Sequence, residues 1–292
     1  MPFVRQIVFV LILICSFAVV AEPRPYIVDV PTSAAESGYF SDLLGLVLNA
    51  SKAPDEIIQI RFAQEQLSQA RWIAAVAQGR GNSIIWTMTS KTREETLRPI
   101  RFPLMKGLMG YRVLVIRKGE QARFADVKTQ QDLAKLSAGQ GMHWPDTGIL
   151  RTNGFRVVEA TAKENLYKML AAKRFDFFPR GISEVQLERD LIDAQKLQVE
   201  PRILLHYPTD LYFFVSKNND ELATRIEKGW LTILKNGEFD RFFLRYEPMR
   251  LALDSLHKHE RHIIELDNPF ISDETISASK LYWIDPNEMP AH

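Results

Sequence analysis

From Tyr26 onward the chain alternates between two hydrophobic periods. YIVDVP, from Tyr26, reads as a strand, and in YFSDLLGLVLNAS the apolar Phe40, Leu43, Leu44, Val47 and Leu48 fall at helical spacing. IIQIRFA alternates like a strand, and the alanine-rich SQARWIAAVAQGRG predicts a helix stopped by Gly79 and Gly81. NSIIWTMTS is a third strand with a polar end. This β-α-β-α-β order predicts a mostly parallel sheet covered by helices. A second unit of the same kind starts at GYRVLVIR (110–117). It continues with a helix in TQQDLAKLS and a glycine-bounded loop, AGQGMHWPDTGILRTNG, running into a helix. The strand FRVVEA, the helix KENLYKMLAAKR, the strand FDFFPRG and the helix SEVQLERDLIDA follow, then the long extended RILLHYPTDLYFFVS. The return from Asn219 is helical to about His262, and the tail from Asp267 is expected to wrap the surface.

Two α/β units and a helical return predict two lobes sharing a hinge. Residues 22–108 and 211–292 form lobe 1, and residues 109–210 form lobe 2, inserted into it. The hinge is expected near Leu108 to Arg112 and Pro208 to Tyr212. The length of 292 residues leaves room for one large domain or two ordinary ones. A chain that is 46% hydrophobic and 25% charged is globular, and a formal charge of +1 gives no reason to expect nucleic acid as a partner.

The first residues carry a separate signal. In MPFVRQIVFVLILICSFAVVAEPRPY, Arg5 precedes an apolar run from Ile7 to Val20, and Val19 and Ala21 stand where a signal peptidase requires small residues. Residues 1–21 are expected to be a cleavable signal peptide directing the chain to the periplasm. The alternative, an uncleaved anchor, is short for a span of roughly 20 residues. Cys15 is the only cysteine and follows Ile14, so it does not suit lipid attachment. Without it the exported chain has no disulfide, no thiolate metal site and no cysteine nucleophile.

Several motifs follow one another in a familiar order: TMTSKTREETLRPIRFPL, GYRVLVIR, ADVKTQQDLAKLSAGQGMHWPDTGIL, KENLYKMLAAKRFDFFPRG and DLYFFVSKNNDELATRIEKGWLTILKNGEFDRFFLRY. Together they resemble the type II periplasmic solute-binding proteins of family 3, which bind amino acids for ABC importers, over roughly Tyr26 to Tyr246. The resemblance implies a two-lobe α/β fold with two hinge crossovers. It also implies closure around a small polar or anionic, amino-acid-like solute, an ABC transporter permease or a sensor protein as partner, and no cofactor. A monomer is expected. Two alternatives stay open: a ligand-sensing accessory module without transport, and a dehydratase-like periplasmic enzyme on the same fold, with Glu184 or Asp146 as general acid or base.

Ligands of such folds bind where parallel strands end. That rule selects Trp86, Thr87 and Thr89 after the third strand, with Arg93 or Arg98 as a fork for a carboxylate. In lobe 2 it selects Trp144 for stacking, and Asp146 or Thr147 to cap a helix whose N–H groups meet an anion. Arg180 is expected to emerge past Pro179 at the cleft-facing end of its strand, with Glu184 one turn on to orient it or meet a ligand amine. The histidines of HKHERH do not share a helix face, and no metal is expected there.

Overall fold

The alternation of periods 2 and 3.6 is realised as four small sheets, joined by isolated bridges into a first and a second sheet assembly with helices on their faces. The computed structural model describes residues 23–31, 38–64, 68–258 and 261–284. The expected signal peptide, Cys15 and His259 lie outside the described residues. In chain order the first unit is β1 (Arg24–Val30), α1 (Gly38–Ser51), β2 (Glu56–Phe62), α2 (Gln69–Ala77), β3 (Ile84–Met88), α3 (Lys91–Thr96) and β4 (Arg98–Ile100). β1 and β2 are parallel, and a parallel bridge from Asp29 to Ser83 brings β3 alongside β1. The helical stripe read in the sequence is the buried face of α1: Leu43, Leu44, Val47 and Leu48 are buried there.

The second unit comprises β5 (Tyr111–Arg117), α4 (Gln130–Ala134), β6 (Ser137–Gly141), α5 (Pro145–Thr152), β7 (Arg156–Ala160), α6 (Lys163–Ala171), β8 (Phe178–Gly181), α7 (Glu184–Leu187), α8 (Arg189–Ala194) and β9 (Leu197–His206). The segment expected as a glycine-bounded loop contributes β6 before α5 begins. β6 pairs with β7 in parallel, β8 and β9 flank β5 antiparallel, and a bridge from Ala138 to Phe177 joins β6 to β8. The strand expected to end at Pro179 runs on through it to Gly181, and it is antiparallel to β5 rather than part of a wholly parallel sheet. Period 2 explains the tolerance. Phe177 and Pro179 turn the same backbone edge toward β6, where Gly139 N–H donates to Phe177 O, and that ladder stops before Pro179.

The extended segment after Arg202 is two strands, not one. β9 ends at His206, and β10 (Leu211–Val215) returns to the first sheet between β3 and β4, antiparallel to both. Asp210, fully buried between them, accepts from the backbone N–H groups of Met105 and Gly107 in one crossover and Leu211 in the other. Three helices follow: α9 (Asp220–Lys235), α10 (Glu238–Arg245) and α11 (Glu247–Lys258). α11 packs on α7, and the stretch just past the expected helix end becomes β11 (His262–Glu265), a parallel edge strand on β9 of the second sheet. The chain then recrosses to the first sheet as α12 (Asp273–Ser279), where Ser279 meets the Tyr212 hydroxyl at 2.6 Å and Thr275 donates to Glu94. The tail from Asp267 is thus partly helical.

Candidate functional site

The first-sheet side of the seam is built on the end of β3. Trp86 is nearly buried and stacks on Phe40 with ring centroids 5.8 Å apart. The next polar residue, Thr87, accepts a 2.7 Å hydrogen bond from Nη1 of Arg93. Thr89 turns the other way and donates to Glu94 at 2.6 Å. α3 is capped by Ser90, whose hydroxyl accepts from Arg93 N–H, and this fixes where the Arg93 side chain starts. Arg93 is 8% exposed. It donates also to Met88 O and to Gln69 Oε1, at the start of α2, and reaches across the seam to His143 O at 3.4 Å. All four partners are neutral, and among the described residues no carboxylate lies within ion-pair distance of it. Burial pulls its pKa down to about 10, with the field of Asp146 working the other way, so it stays cationic at neutral pH.

The second-sheet side carries more charge and disposes of it internally. Trp144 precedes α5, its indole lying so close over Gly141 that a Cβ there would sit 2.3 Å from the ring. Asp146 does not cap α5. It turns to Arg112, 2.8 Å from Nη2, and accepts from the Tyr207 hydroxyl. Thr147 does not cap it either, since its hydroxyl donates to Gly141 O at 2.7 Å.

Arg180, expected to stand open at the cleft, is 4% exposed. It is forked onto Glu188, with Nε and Nη2 donating at 2.9 and 2.8 Å, and it meets Glu184 at 2.9 Å. Its guanidinium lies 5.2 Å from the centre of the Trp144 ring. Glu184 also takes Arg112 Nη1 at 3.1 Å and Gly181 N–H at 2.7 Å. Glu188 takes Lys163 at 2.9 Å. Three cations, Arg112, Lys163 and Arg180, therefore face three carboxylates, Asp146, Glu184 and Glu188. Burial alone would lift Glu188, but Arg180 outweighs it and holds the carboxyl down at about 2.

Arg98 belongs elsewhere. It lies on β4 and pairs with Asp220 and Glu227 of α9 at 2.6 and 3.2 Å, on the far side of the first sheet's edge strand. Of the two arginines proposed for a carboxylate fork, Arg93 is the one at the seam. A pocket of about 450 Å³ opens onto it, walled by α2 and α3 on one side, by residues 142–151 on the other, and by Phe270 from the C-terminal segment. Gln69, His143 and Phe270 had no signal in the motifs. Gln69 and His143 gained their place by proximity in the fold, and Phe270 comes from a tail without periodicity.

With this geometry in view, the comparisons with known proteins are consistent. No family model matches the chain, and no curated protein matches it. Solved structures do. The chain is similar to a binding component of an ABC transporter from Wolinella succinogenes complexed with lysine, at 11% identity and a TM-score of 0.56, over 76% of this chain and 95% of that one. A periplasmic binding protein of high arginine specificity from Salmonella typhimurium superposes with a TM-score of 0.53 at 15% identity, over 76% and 99%. A histidine kinase sensor domain with similarity to periplasmic binding proteins gives 0.55 at 13%, over 77% and 97%. The architecture is that of the type II periplasmic solute-binding proteins, as the motif order implied.

Proposed function

We propose that this chain is a periplasmic solute-binding protein that closes its two lobes, by bending at the crossovers around Asp210, on a small carboxylate-bearing solute. The bound solute favours the closed state, and an ABC importer recognises that state. The chain acts as an exported monomer, lobe 1 built from 22–108 and 211–292 except that α11 and β11 lie against lobe 2, lobe 2 built from 109–210, and no bond is broken in the solute. The observation that carries this reading is Arg93: a buried guanidinium at the seam whose bonds among the described residues all go to neutral atoms. Keeping a cation out of water without a counter-charge is unfavourable unless an anion completes the site, and a carboxylate matches the fork in shape. On the lobe 1 side Thr87 holds Arg93 in place and Gln69, Ser90 and Thr92 line the pocket, while Trp86 and Thr89 face away from it. Trp144 and Thr147 shape the other, with Asp146, Arg180 and Glu184 as its charged support. The neighbours that bind lysine and arginine agree with a solute of amino-acid size.

The test is calorimetric titration of the purified protein with a panel of small carboxylates, amino acids included. Arg93→Ala is expected to weaken any binder at least about thirtyfold, in line with roughly 2–5 kcal/mol for a buried charge pair. A ligand that binds the variant as tightly as the parent would remove Arg93 from the site, and turnover of a bound ligand would replace transport with catalysis.

A further inference from the structure

The pocket against Arg93 says more about its occupant than that it bears a carboxylate. Two of its lining residues are cations, Arg93 and Arg151, and no described residue lining it is acidic. Arg151 is already matched by Glu159, so one positive charge is left over. Its apolar wall is made by Ile73, Met142, Trp144, Pro145 and Phe270. An α-ammonium placed here would look for a counter-charge and find each nearby carboxylate among the described residues taken. Asp146 is held by Arg112 and Tyr207, and Glu184 by Arg112 and Arg180. Glu94 accepts from Thr89, Ser272 and Thr275. Nor is Trp144 an open platform for a cation, because Arg180 already lies against its ring.

Resting on the reading of Arg93 as a carboxylate holder, we infer that the preferred solute is a carboxylic acid with an apolar, aromatic-sized body and no ammonium group. The 450 Å³ volume suits such a molecule. Phe270 sets the specificity of the far wall. Its carbonyl accepts from Lys91 N–H at 2.7 Å, and Lys91 Nζ binds Pro269 O, so the segment is fixed to α3. Its ring rests on α5 so closely that a Cβ on Gly148 would meet it at 3.0 Å.

The experiment compares four probes by calorimetry on the parent protein, on Phe270→Ala and on Arg93→Ala: 3-phenylpropionate, L-phenylalanine, L-arginine and propionate. 3-Phenylpropionate is expected to bind at least about tenfold tighter than L-phenylalanine, its aminated counterpart, because an unpaired buried ammonium costs that much or more. L-Arginine is expected to be the weakest of the three larger probes. Phe270→Ala should cost 3-phenylpropionate about tenfold and propionate clearly less. If either amino acid binds as well as 3-phenylpropionate, and Arg93→Ala abolishes that binding, the inference fails while Arg93 keeps its role. If Phe270→Ala weakens propionate equally, Phe270 is not a specificity wall. If no probe gives saturable binding, or if Arg93→Ala changes none of the affinities, the reading of Arg93 falls and this inference falls with it.

Discussion

Two buried arginines face the same seam and live in opposite surroundings. Arg180 has two carboxylates of its own, a lysine sharing one of them, and an indole against its plane. Arg93 has a threonine hydroxyl, two carbonyls and an amide. The difference separates charge used to hold a fold from charge left available for something else. In the first case the chain provides the counter-ions and the desolvation is offset internally. In the second the counter-ion is missing from the described residues, which is why the ligand is assigned to Arg93 and not to the more conspicuous cluster across from it.

The comparison breaks most visibly at Arg180. Arg180→Ala strands Glu188 and Glu184 in a buried site, and the expected loss is about 3–5 kcal/mol of unfolding free energy in urea titrations. A loss near zero would mean that the cluster is not structural. Acid sharpens the same point. Because Glu188 is held at about 2 against an ordinary 4.5, its stabilising contribution is fully present above pH 4.5. That contribution disappears as pH falls toward 2. Melting temperature should therefore drop between pH 5 and pH 3, and drop less steeply in Glu188→Gln. Arg93→Ala, which removes an uncompensated cation, is expected to change stability by less than about 1 kcal/mol while abolishing binding, the reverse of Arg180→Ala. Arg98→Ala stands last. Its partner Asp220 is largely exposed, so the variant should shift stability by about 0–1 kcal/mol and leave every affinity as it was.

Most of the fold was legible because local patterns and global packing agree. The stripe of α1 is its buried face, the helix read in TQQDLAKLS starts at its Thr129 cap, and the apolar run from Tyr111 to Arg117 is a strand, whereas the short α3 after Ser90 was not read. What was not legible depends on partners far apart in the chain. Arg112 is a charged residue beside an apolar strand run, yet it is 1% exposed, because Asp146, Glu184 and Tyr207 arrive from three other segments. The spacing of Arg180 and Glu184 suggested a helical-turn pair, and the pair exists. The stronger partner is Glu188, eight residues on, and no periodicity rule reaches it. Thr147 and Asp146 looked like caps because the rule considers only the helix that follows, whereas Gly141 O and Arg112 compete for them and win. The strand at β11 escaped notice because its hydrophobic run is short and becomes a strand only by lying on β9.

That last element has a mechanical consequence. With β11 on one sheet and α12 on the other, the halves are joined by a third strand of chain besides the two crossovers. Only residues 266–272 span the gap, and fully stretched they reach roughly 25 Å. Along the way Phe270 is fastened to Lys91 on one bank and leans on Gly148 on the other. Any separation of the two halves is thus capped by the length of a tether, which also closes one side of the gap between them.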